Sequence, residues 1–547
     1  MRPPLDNPFY YLDNFQRVLD WVNAHHGDLL LPAEKGFIDR FARLPQPARA
    51  LLVRMVMRKG ELFRSDRLRY AEIGCARQAA TALADEGWID TQPRLSPDEL
   101  FGLLTRPELN MLFSDPALRG LRKGQLLEIL RADLGEARPY AEWCTGSQEQ
   151  VFRVFTGELC QCLRLLFFGN LRQDWTDFVL ADLGIHRYEQ VAFSPAARAF
   201  NSRDELEAYR HLHACRERFE AGEPVVALLA DIPATPYASD WLETRRGKLL
   251  LALGQQCERD ADLGRALQIH SGNTYPGART RRIRVLERSG LAAEALGLAL
   301  QAQAAPENES EAQQLQRMLP RLRRALGLPR PARPYPPQTP EIHLVLDRPP
   351  AGVSVEQAVR DHLGEPGAPV HYVENGLINS LFGLLCWDAI FAPLPGAFFH
   401  PYHSGPADLG HSDFATRRRA LFATCLDALD RGDHAERIRQ TWRQKQGLLS
   451  PFVFWGLLDE TLLELALACL PAAHLRCWFE RLLRDVANNR SGLPDLIQFW
   501  PAEGRYRMIE VKGPGDRLQD NQRRWLDYAL QHGLPVAVCH VRWAESA

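Results

Sequence analysis

Three residues that could bind a metal ion and act on a phosphate lie close together near the end of the sequence. Asp495 follows a proline, and Glu510 and Lys512 are separated by one residue in the stretch RMIEVK. Alternate residues of a strand face the same side of a sheet, so Glu510 and Lys512 should project together. Two neighbouring carboxylates repel each other unless a cation lies between them, and a few oxygen ligands suit Mg²⁺ or Mn²⁺. The pattern therefore predicts a divalent-cation site with an ammonium group beside it.

The elements that must position these residues are predicted from apolar runs and turn signals. The runs 496–500 and 506–511 predict two strands, and PAEG at 501–504 predicts the turn between them. Asp495 would then begin the first strand, beside the end of the second. A helix beginning near Leu518 and a strand at 535–541 would follow. The backbone carbonyl of Val511 is a further possible ligand, because it lies between the two charged residues.

This order of strand, strand, helix and strand resembles the core of the PD-(D/E)xK nucleases. The segments GLPDL, EVKGPGDRL, QRRW and VCHV, in that order, resemble the VRR-NUC domain, above all as it occurs in the Fanconi-associated nuclease family. NPFYYLDNF at Asn7, LVRMVMRKGELFR at Leu52 and ENGLINSLFGLLCWDAIF at Glu374 also resemble that family. The resemblance covers nearly the whole chain, although the middle is similar only in its helical character.

The resemblance implies a metal-dependent nuclease of the phosphodiesterase I type. It implies cleavage of branched DNA near 5′ flaps, 5′-to-3′ exonuclease character and a role in the repair of interstrand cross-links. Two alternatives stay open. A related enzyme could resolve four-way junctions, or the chain could be a helical scaffold with an inert nuclease domain. The complete set of Glu374, Asp495, Glu510 and Lys512 favours an active enzyme.

The resemblance also extends the site beyond the hairpin. It implies that Glu374 joins Asp495 and Glu510 at the metal. Residues 374–391 predict one helix with a core-facing apolar stripe, and Glu374 would lie near its start. The remaining supporting residues follow the second strand or lie on the next helix. We expect Asp516 to hold the loop or the geometry of the site, Arg517 to reach a phosphate, and Gln522 to face the site from the next helix.

The chain is predicted to be multidomain and mostly α-helical, ending in an α/β nuclease domain. The predicted regions are a helical N-terminal DNA-binding domain at 1–95, a SAP-like helical module at 96–145, a TPR-like helical array at 146–326, a proline-rich linker at 327–342 and a VRR-NUC domain at 343–547. The helical array is expected to be degenerate, because no strict repeat length fits it.

Basic residues outside the nuclease domain are candidates for DNA contact. The stretch GLRKGQLLEIL resembles a SAP module, in which Arg122, Lys123 and the start of the following helix would face backbone phosphate, although a plain helical hairpin is an alternative. Arg281, Arg282 and Arg284 lie together in RTRRIRVLER. Each set could instead be an ordinary solvated helix face.

Bulk composition limits the function classes. The net charge of −2 argues against a protein coated with basic residues, although local patches can still bind DNA. Eleven cysteines without CxxC pairs predict reduced thiols. No uninterrupted apolar run approaches the length of a membrane span. We therefore expect a cytoplasmic enzyme that acts on the nucleoid and has no membrane partner.

Overall fold

The computed structural model of this chain describes residues 7–118, 120–193, 197–329 and 338–544. These residues form two compact units. The first covers Met1–His186 and Arg198–Arg203, and the second Arg187–Ala197 and Asp204–Ala547, each as far as it is described. Most of the structure is helical, as predicted. Residues 330–337 of the predicted linker at 327–342 lie outside the described residues.

The first unit combines helices with a small antiparallel sheet. Its helices are Tyr10–His26, Pro32–Arg43, Gln46–Val56, Ala76–Asp85, Pro97–Leu103, Arg106–Leu112, Lys123–Leu134, Tyr140–Trp143, Gly157–Phe168 and Trp175–Asp182, with short 3₁₀ turns at Ser65–Arg67 and Pro116–Leu118. In the sheet, Val151–Val154 lies between Leu62–Arg64 and Ile89–Asp90.

This central strand corrects the predicted start of the helical array at residue 146. VFRV is rich in β-branched and aromatic residues, which favour a strand. Because Val151–Val154 pairs with strands from residues 62–90, it belongs to the first unit. The helices Gly157–Phe168 and Trp175–Asp182 belong to the same unit.

The helices of the predicted SAP-like region share a hydrophobic core, which also includes Val151 of the neighbouring sheet. Leu100, Leu109, Leu126 and Trp143 are among its buried residues. A short antiparallel pair, Arg94–Leu95 with Arg138–Pro139, brings the two ends of the region together.

The second unit begins with an array of helices in which each long helix packs on the next. Its helices are Arg203–Glu220, Val225–Asp231, Asp240–Arg259, Leu263–Ser271, Ala278–Arg288, Ala292–Ala304 and Glu309–Ala325. Small residues permit the close packing. A Cβ added at Gly254 would lie 2.4 Å from the buried ring of His270 on the following helix, so this crossing requires glycine.

The last helix of the array docks on the nuclease domain. Arg317 forms an ion pair with Asp520, and Nη1 of Arg524 donates to Oε1 of Gln313 over 2.7 Å. The contacted helix, Asp520–Gln531, follows the strand that ends at Lys512. The array therefore supports the element next to the predicted metal site.

A mixed five-stranded sheet forms the centre of the nuclease domain. Its strand order is Glu341–Leu346, Val536–Trp543, Arg505–Lys512, Leu496–Trp500 and Val370–Tyr372. The first three strands are mutually parallel, and the last two pairings are antiparallel. The hairpin and the final strand confirm the predicted order, with strand ends shifted by a few residues.

Helices cover the two faces of the sheet unequally. Val355–Leu363 covers one face, where Leu496, Ile509, Val511 and Cys539 are buried. The other face packs on the larger core. The helices of this part are Leu377–Leu385, Trp387–Ile390, Phe414–Arg417, Arg419–Arg431, His434–Lys445, Glu460–Cys469, Ala472–Arg484, Val486–Asn489 and Asp520–Gln531.

Among the described residues, no single helix is both long and apolar enough to cross a membrane. The neighbouring helices Glu460–Cys469 and Ala472–Arg484 reach that length and composition only together, and they meet at a bend of 108°. Both contribute buried side chains to the larger core, among them Leu462 and Trp478. Packing within the fold accounts for their apolar composition.

Candidate active site

The central hairpin brings Asp495 and Glu510 side by side. Leu496 pairs with Ile509, so continuing the antiparallel register by one residue places Asp495 opposite Glu510. Paired residues share a face of the sheet, and that face is opposite the one that buries Val511. The two carboxylates therefore converge, as the sequence predicts.

Asp495 is fixed by backbone contacts on both sides. Its Oδ2 accepts a hydrogen bond from the amide of Val511 over 2.8 Å, and its carbonyl accepts one from the amide of Val373 over 2.8 Å. Burial raises the pKa of the Asp495 carboxyl to about 6. The Val511 amide and Lys512 oppose this shift, and the charge of Glu374 adds to it.

Glu510 is fully buried and its charge is poorly compensated. Burial first, and the charge of Asp495 second, raise the pKa of the Glu510 carboxyl to about 8. Nζ of Lys512 lies 2.7 Å from Oε1 of Glu510. In the described part of the chain neither oxygen of Glu510 accepts a hydrogen bond of good geometry, so this contact is an ion pair without a directed hydrogen bond. Buried carboxylate oxygens that accept no directed hydrogen bond are rare and call for an explanation.

A divalent cation fits this arrangement. Two buried carboxylates with unused lone pairs supply hard oxygen ligands, and a cation would offset their mutual repulsion. Among the described residues, no three His, Cys, Asp or Glu side chains gather closely enough to enclose a metal by themselves. Such a partial ligand set is typical of Mg²⁺ sites, which keep several waters and substrate oxygens. The side chain of Val511 is buried on the opposite face, so only its backbone could reach the cation.

Glu374 stands at the rim of the site. It directly follows Val373, whose amide bonds to Asp495, and its carboxylate is exposed. The Tyr372 hydroxyl donates to one of its oxygens, and Nδ2 of Asn375 donates to the other over 3.2 Å. Its charge contributes to the raised pKa of Asp495, which places it within electrostatic reach of the buried pair.

The predicted helix at 374–391 is wrong in its limits. The structure has a helix only at Leu377–Leu385, a break at Cys386 and a short helix at Trp387–Ile390. Asn375 adopts a positive φ of 51°, which does not fit a right-handed helix. Glu374 therefore lies in a turn before the helix. This turn is held by Oδ1 of Asn375, which accepts from the amide of Leu493 over 3.1 Å.

The supporting residues occupy three different settings. Oδ2 of Asp516 accepts from the amide of Gly513 over 3.1 Å, so it closes the loop after Lys512. Arg517 is exposed in the same loop. Oε1 of Gln522 accepts from the amide of Gln519 over 2.8 Å, so this side chain caps its helix instead of pointing freely into the site. The roles of Arg517 and Gln522 toward DNA stay predictions.

Gly492 sets the path of the chain into Asp495. Its φ is +89°, and an added Cβ would lie 2.8 Å from the backbone carbonyl carbon of Asn521. Both the backbone conformation and the close approach therefore require glycine. The contact ties the loop before Asp495 to the first turn of the helix Asp520–Gln531.

We expect Gly492→Ala to lower the free energy of unfolding by about 2–4 kcal/mol and to reduce cleavage, because strain and a steric clash add. Gly504→Ala is the matched control. Gly504 also has a positive φ, of +59°, but open space surrounds it, so its substitution should cost only about 1–2 kcal/mol. Chemical denaturation of both variants measures the difference. Equal losses would contradict the packing argument.

The three arginines of the array that are proposed to contact DNA differ in whether their charge is already paired within the protein. Nη1 of Arg281 lies 3.3 Å from Oε2 of Glu258, a buried carboxylate that also contacts Nε2 of His270 over 2.9 Å. Arg281 is thus already paired within the array. Arg282 is half-buried and Arg284 is exposed, so these two have charge to offer a ligand.

Arg122 and Lys123 lie at the start of the helix Lys123–Leu134. Arg122 is exposed and Lys123 is half-buried. The amide of Arg122 donates to Oε1 of Gln125 over 2.9 Å, which uses one of the free amides of this helix end. Both side chains remain candidates for phosphate contact.

Two strands of the sheet are absent from the sequence predictions. Val370–Tyr372 pairs with Leu496–Trp500 and places Glu374 beside Asp495. Glu341–Leu346 forms the opposite edge and begins inside the range predicted as linker. Its alternation EIHLVL was the available signal. Tyr372 and Asn375, which hold Glu374, are residues that sequence reasoning missed.

Known proteins share this architecture and this sequence. Family models described as the VRR-NUC domain, the FAN1 HTH domain and the Fanconi anemia-associated nuclease SAP domain match residues 430–543, 9–90 and 94–143. A Fanconi-associated nuclease 1 homolog of Pseudomonas aeruginosa is 57% identical over 99% of this chain and 97% of its own length. The chain belongs to the Fanconi-associated nuclease family. The resemblance and the fold class predicted from the sequence are confirmed, and this nuclease is a hydrolase that cleaves DNA.

More distant and solved relatives agree. The homolog from Oryza sativa subsp. japonica is 26% identical over 97% of the nuclease, which spans 62% of that longer protein. The crystal structure of paFAN1 bound to 2nt 5′flap DNA with gap has a TM-score of 0.96 at 56% identity and full coverage of both chains. A second paFAN1 structure, bound to 1nt 5′flap DNA with gap, has a TM-score of 0.92 at 56% identity and covers 99% of the nuclease and 100% of that chain.

Proposed function

We propose that this chain is a structure-specific nuclease that cleaves 5′-flap DNA in the presence of Mg²⁺ or Mn²⁺. The observation that carries the proposal is the buried pair of Asp495 and Glu510, with both oxygens of Glu510 lacking hydrogen bonds and Lys512 in contact. The flap preference is supported by solved relatives that are 56% identical and bound to 5′-flap DNA. It extends to 5′-to-3′ exonuclease action and to the repair of interstrand cross-links at the nucleoid, in the cytoplasm.

The residues present fit a divalent cation, which Asp495 and Glu510 would hold and for which Glu374 and the carbonyl of Val511 would be further ligands. When bound, the cation lowers the pKa of a water and offsets charge on the phosphate. The chain itself does the positioning. The Val511 amide fixes Asp495, and the Lys512 ammonium supplies a positive charge beside the scissile phosphate and the attacking water. We expect Arg517, which is exposed in the loop after Lys512, to hold a neighbouring phosphate.

The two alternative functions, a junction resolvase and an inert scaffold, predict different cleavage results. A resolvase-like enzyme would prefer four-way junctions, and a scaffold would cut nothing. Labelled 5′-flap, 3′-flap, nicked, four-way and duplex substrates, each with Mg²⁺, with Mn²⁺ and with a chelator, separate the three. We expect metal-dependent cleavage of the 5′ flap above all others. A preference for the junction favours the resolvase, and no cleavage of any substrate favours the scaffold.

A separate prediction concerns DNA holding by the array. We expect Arg282→Glu with Arg284→Glu to weaken flap binding and to reduce the slope of log affinity against log salt by about 2, one for each lost phosphate contact. Fluorescence anisotropy at several salt concentrations measures both quantities. Unchanged affinity and slope would mean that these residues form a solvated face.

Arg281→Glu is the comparison for this test. Because Arg281 pairs with the buried carboxylate of Glu258, its reversal should chiefly lower stability, by about 1–3 kcal/mol. Thermal melting should therefore separate Arg281 from Arg282 and Arg284. An Arg281 variant that melts normally but loses DNA affinity would return this residue to the DNA-contact set.

A further inference from the structure

The strand next to Lys512 carries a histidine on the face of the active site. In the parallel pairing of Val536–Trp543 with Arg505–Lys512, His540 is the register partner of Lys512. Partners on neighbouring strands point to the same face of the sheet. The residues on either side of His540, Cys539 and Val541, are buried on the opposite face. The imidazole therefore lies on the same face as Lys512 and Glu510, one strand away.

On this face of the sheet, the side chains change from apolar to polar where the strands reach the site. Along the last strand the positions on this face are Val536, Val538, His540 and Arg542. The two valines are buried in the larger core, whereas 40% of the His540 side chain is exposed and Arg542 is exposed. On the neighbouring strand Met508 gives way to Glu510 and Lys512 in the same way. Where the core ends, both strands present polar groups.

The polar row continues to the edge of the sheet. His540 is also the register partner of His343 on the strand Glu341–Leu346, and the two rings stack with centroids 5.5 Å apart. Glu341 contacts His343, with its Oε2 3.1 Å from Nε2 of His343, and its Oε1 lies 4.0 Å from Nε2 of His540. Lys512, His540 and His343 thus form a row across three strands, about 5 Å apart from strand to strand.

We propose that His540 contacts the DNA backbone next to the scissile phosphate, and that one DNA strand runs from the metal site along the row of Lys512, His540 and His343. This inference rests on the proposed function. Imidazole N–H groups and an ammonium donate hydrogen bonds to phosphate oxygens, and such contacts set the position of the strand. One nucleotide advances about 3.4 Å along the helix axis, so the row covers the one to three linkages beside the cut.

The test combines protein variants with DNA that lacks single backbone charges. His540→Ala is compared with His540→Gln, which retains an N–H donor, and with His362→Ala, an exposed histidine on the helix that covers the opposite face. Steady-state cleavage of 5′-flap DNA is measured for each. We expect His540→Ala to raise KM about 5- to 10-fold with little change in kcat, His540→Gln to recover part of the loss, and His362→Ala to match the wild type.

Methylphosphonate scanning then locates the contact. A neutral linkage at the contacted position should raise the KM of the wild-type enzyme about 5- to 10-fold. On that substrate His540→Ala should raise KM no further. The proposal is overturned if His540→Ala retains the wild-type KM or lowers kcat alone. It is also overturned if, at every position scanned, the variant and the neutral linkage raise KM independently, so that their effects multiply. A wild-type enzyme that does not cut flap DNA at all would instead refute the proposed function.

Discussion

Glu510→Gln is expected to abolish cleavage of 5′-flap DNA while making the metal-free protein more stable at neutral and alkaline pH. Loss of one carboxylate from the buried pair removes a cation ligand, and we expect the rate to fall at least about a thousandfold, or roughly 4 kcal/mol of transition-state stabilisation. The amide has the size of the protonated acid, so the core around it should not collapse.

The stability change follows from the raised pKa of Glu510. Folding raises that pKa from 4.5 to about 8, so the folded state takes up a proton that the unfolded state has released. The contribution of this group to stability is fully present below pH 4.5 and is lost as the pH rises to about 8. Glutamine does not titrate. The free energy of unfolding of the variant should therefore rise relative to that of the wild type as the pH increases from 4.5 to about 8, by at most about 1.4 kcal/mol for each pH unit.

Thermal melting in a chelating buffer at several pH values measures this difference, and adding Mg²⁺ or Mn²⁺ should stabilise only the wild type. Glu503→Gln, on the exposed turn of the same hairpin, should cleave and melt like the wild type. A Glu510→Gln variant that still binds the cation, or that melts earlier than the wild type at alkaline pH, would mean that this carboxylate serves the fold and not the metal.

The sequence predicts the central hairpin well because its signals are local. Two apolar runs flank the turn PAEG, and Asp495, Glu510 and Lys512 lie within eighteen positions of one another. Strand periodicity alone then places the carboxylate of Glu510 and the ammonium of Lys512 on one face. The structure adds what periodicity cannot supply, namely the burial that raises both carboxyl pKa values and the Val511 amide that fixes Asp495.

Non-local pairings account for what the sequence did not predict. The strand Val370–Tyr372 has only three residues and is defined by its partner Leu496–Trp500, more than a hundred positions later. Arg281 has the pattern of a solvated arginine, yet its charge is paired with Glu258 on another helix. An apolar stripe predicted the helix after Glu374 but could not reveal the positive φ of Asn375 that delays its start.

Glu374→Gln tests the residue that rests most on family resemblance. In the structure Glu374 does not begin a helix, so a helix-capping role no longer competes with the metal role. Its oxygens accept from Tyr372 and Asn375, and an amide oxygen can keep one of these bonds. We therefore expect a near-normal melting temperature. The cleavage rate should fall at least about a hundredfold, or roughly 2.7 kcal/mol, because the cation loses a negative ligand.

Partial rescue by raised Mn²⁺ would distinguish weaker metal binding from a misplaced loop. If the variant chiefly binds the cation more weakly, a higher Mn²⁺ concentration restores occupancy of the site by mass action, so the loss of rate should shrink as that concentration rises. Glu365→Gln is the control and should cut at the wild-type rate, because Glu365 is exposed in the segment before the edge strand Val370–Tyr372. If Glu374→Gln also cuts flaps at that rate, Asp495 and Glu510 alone supply the carboxylate ligands, and Glu374 serves only to hold the turn through Tyr372 and Asn375.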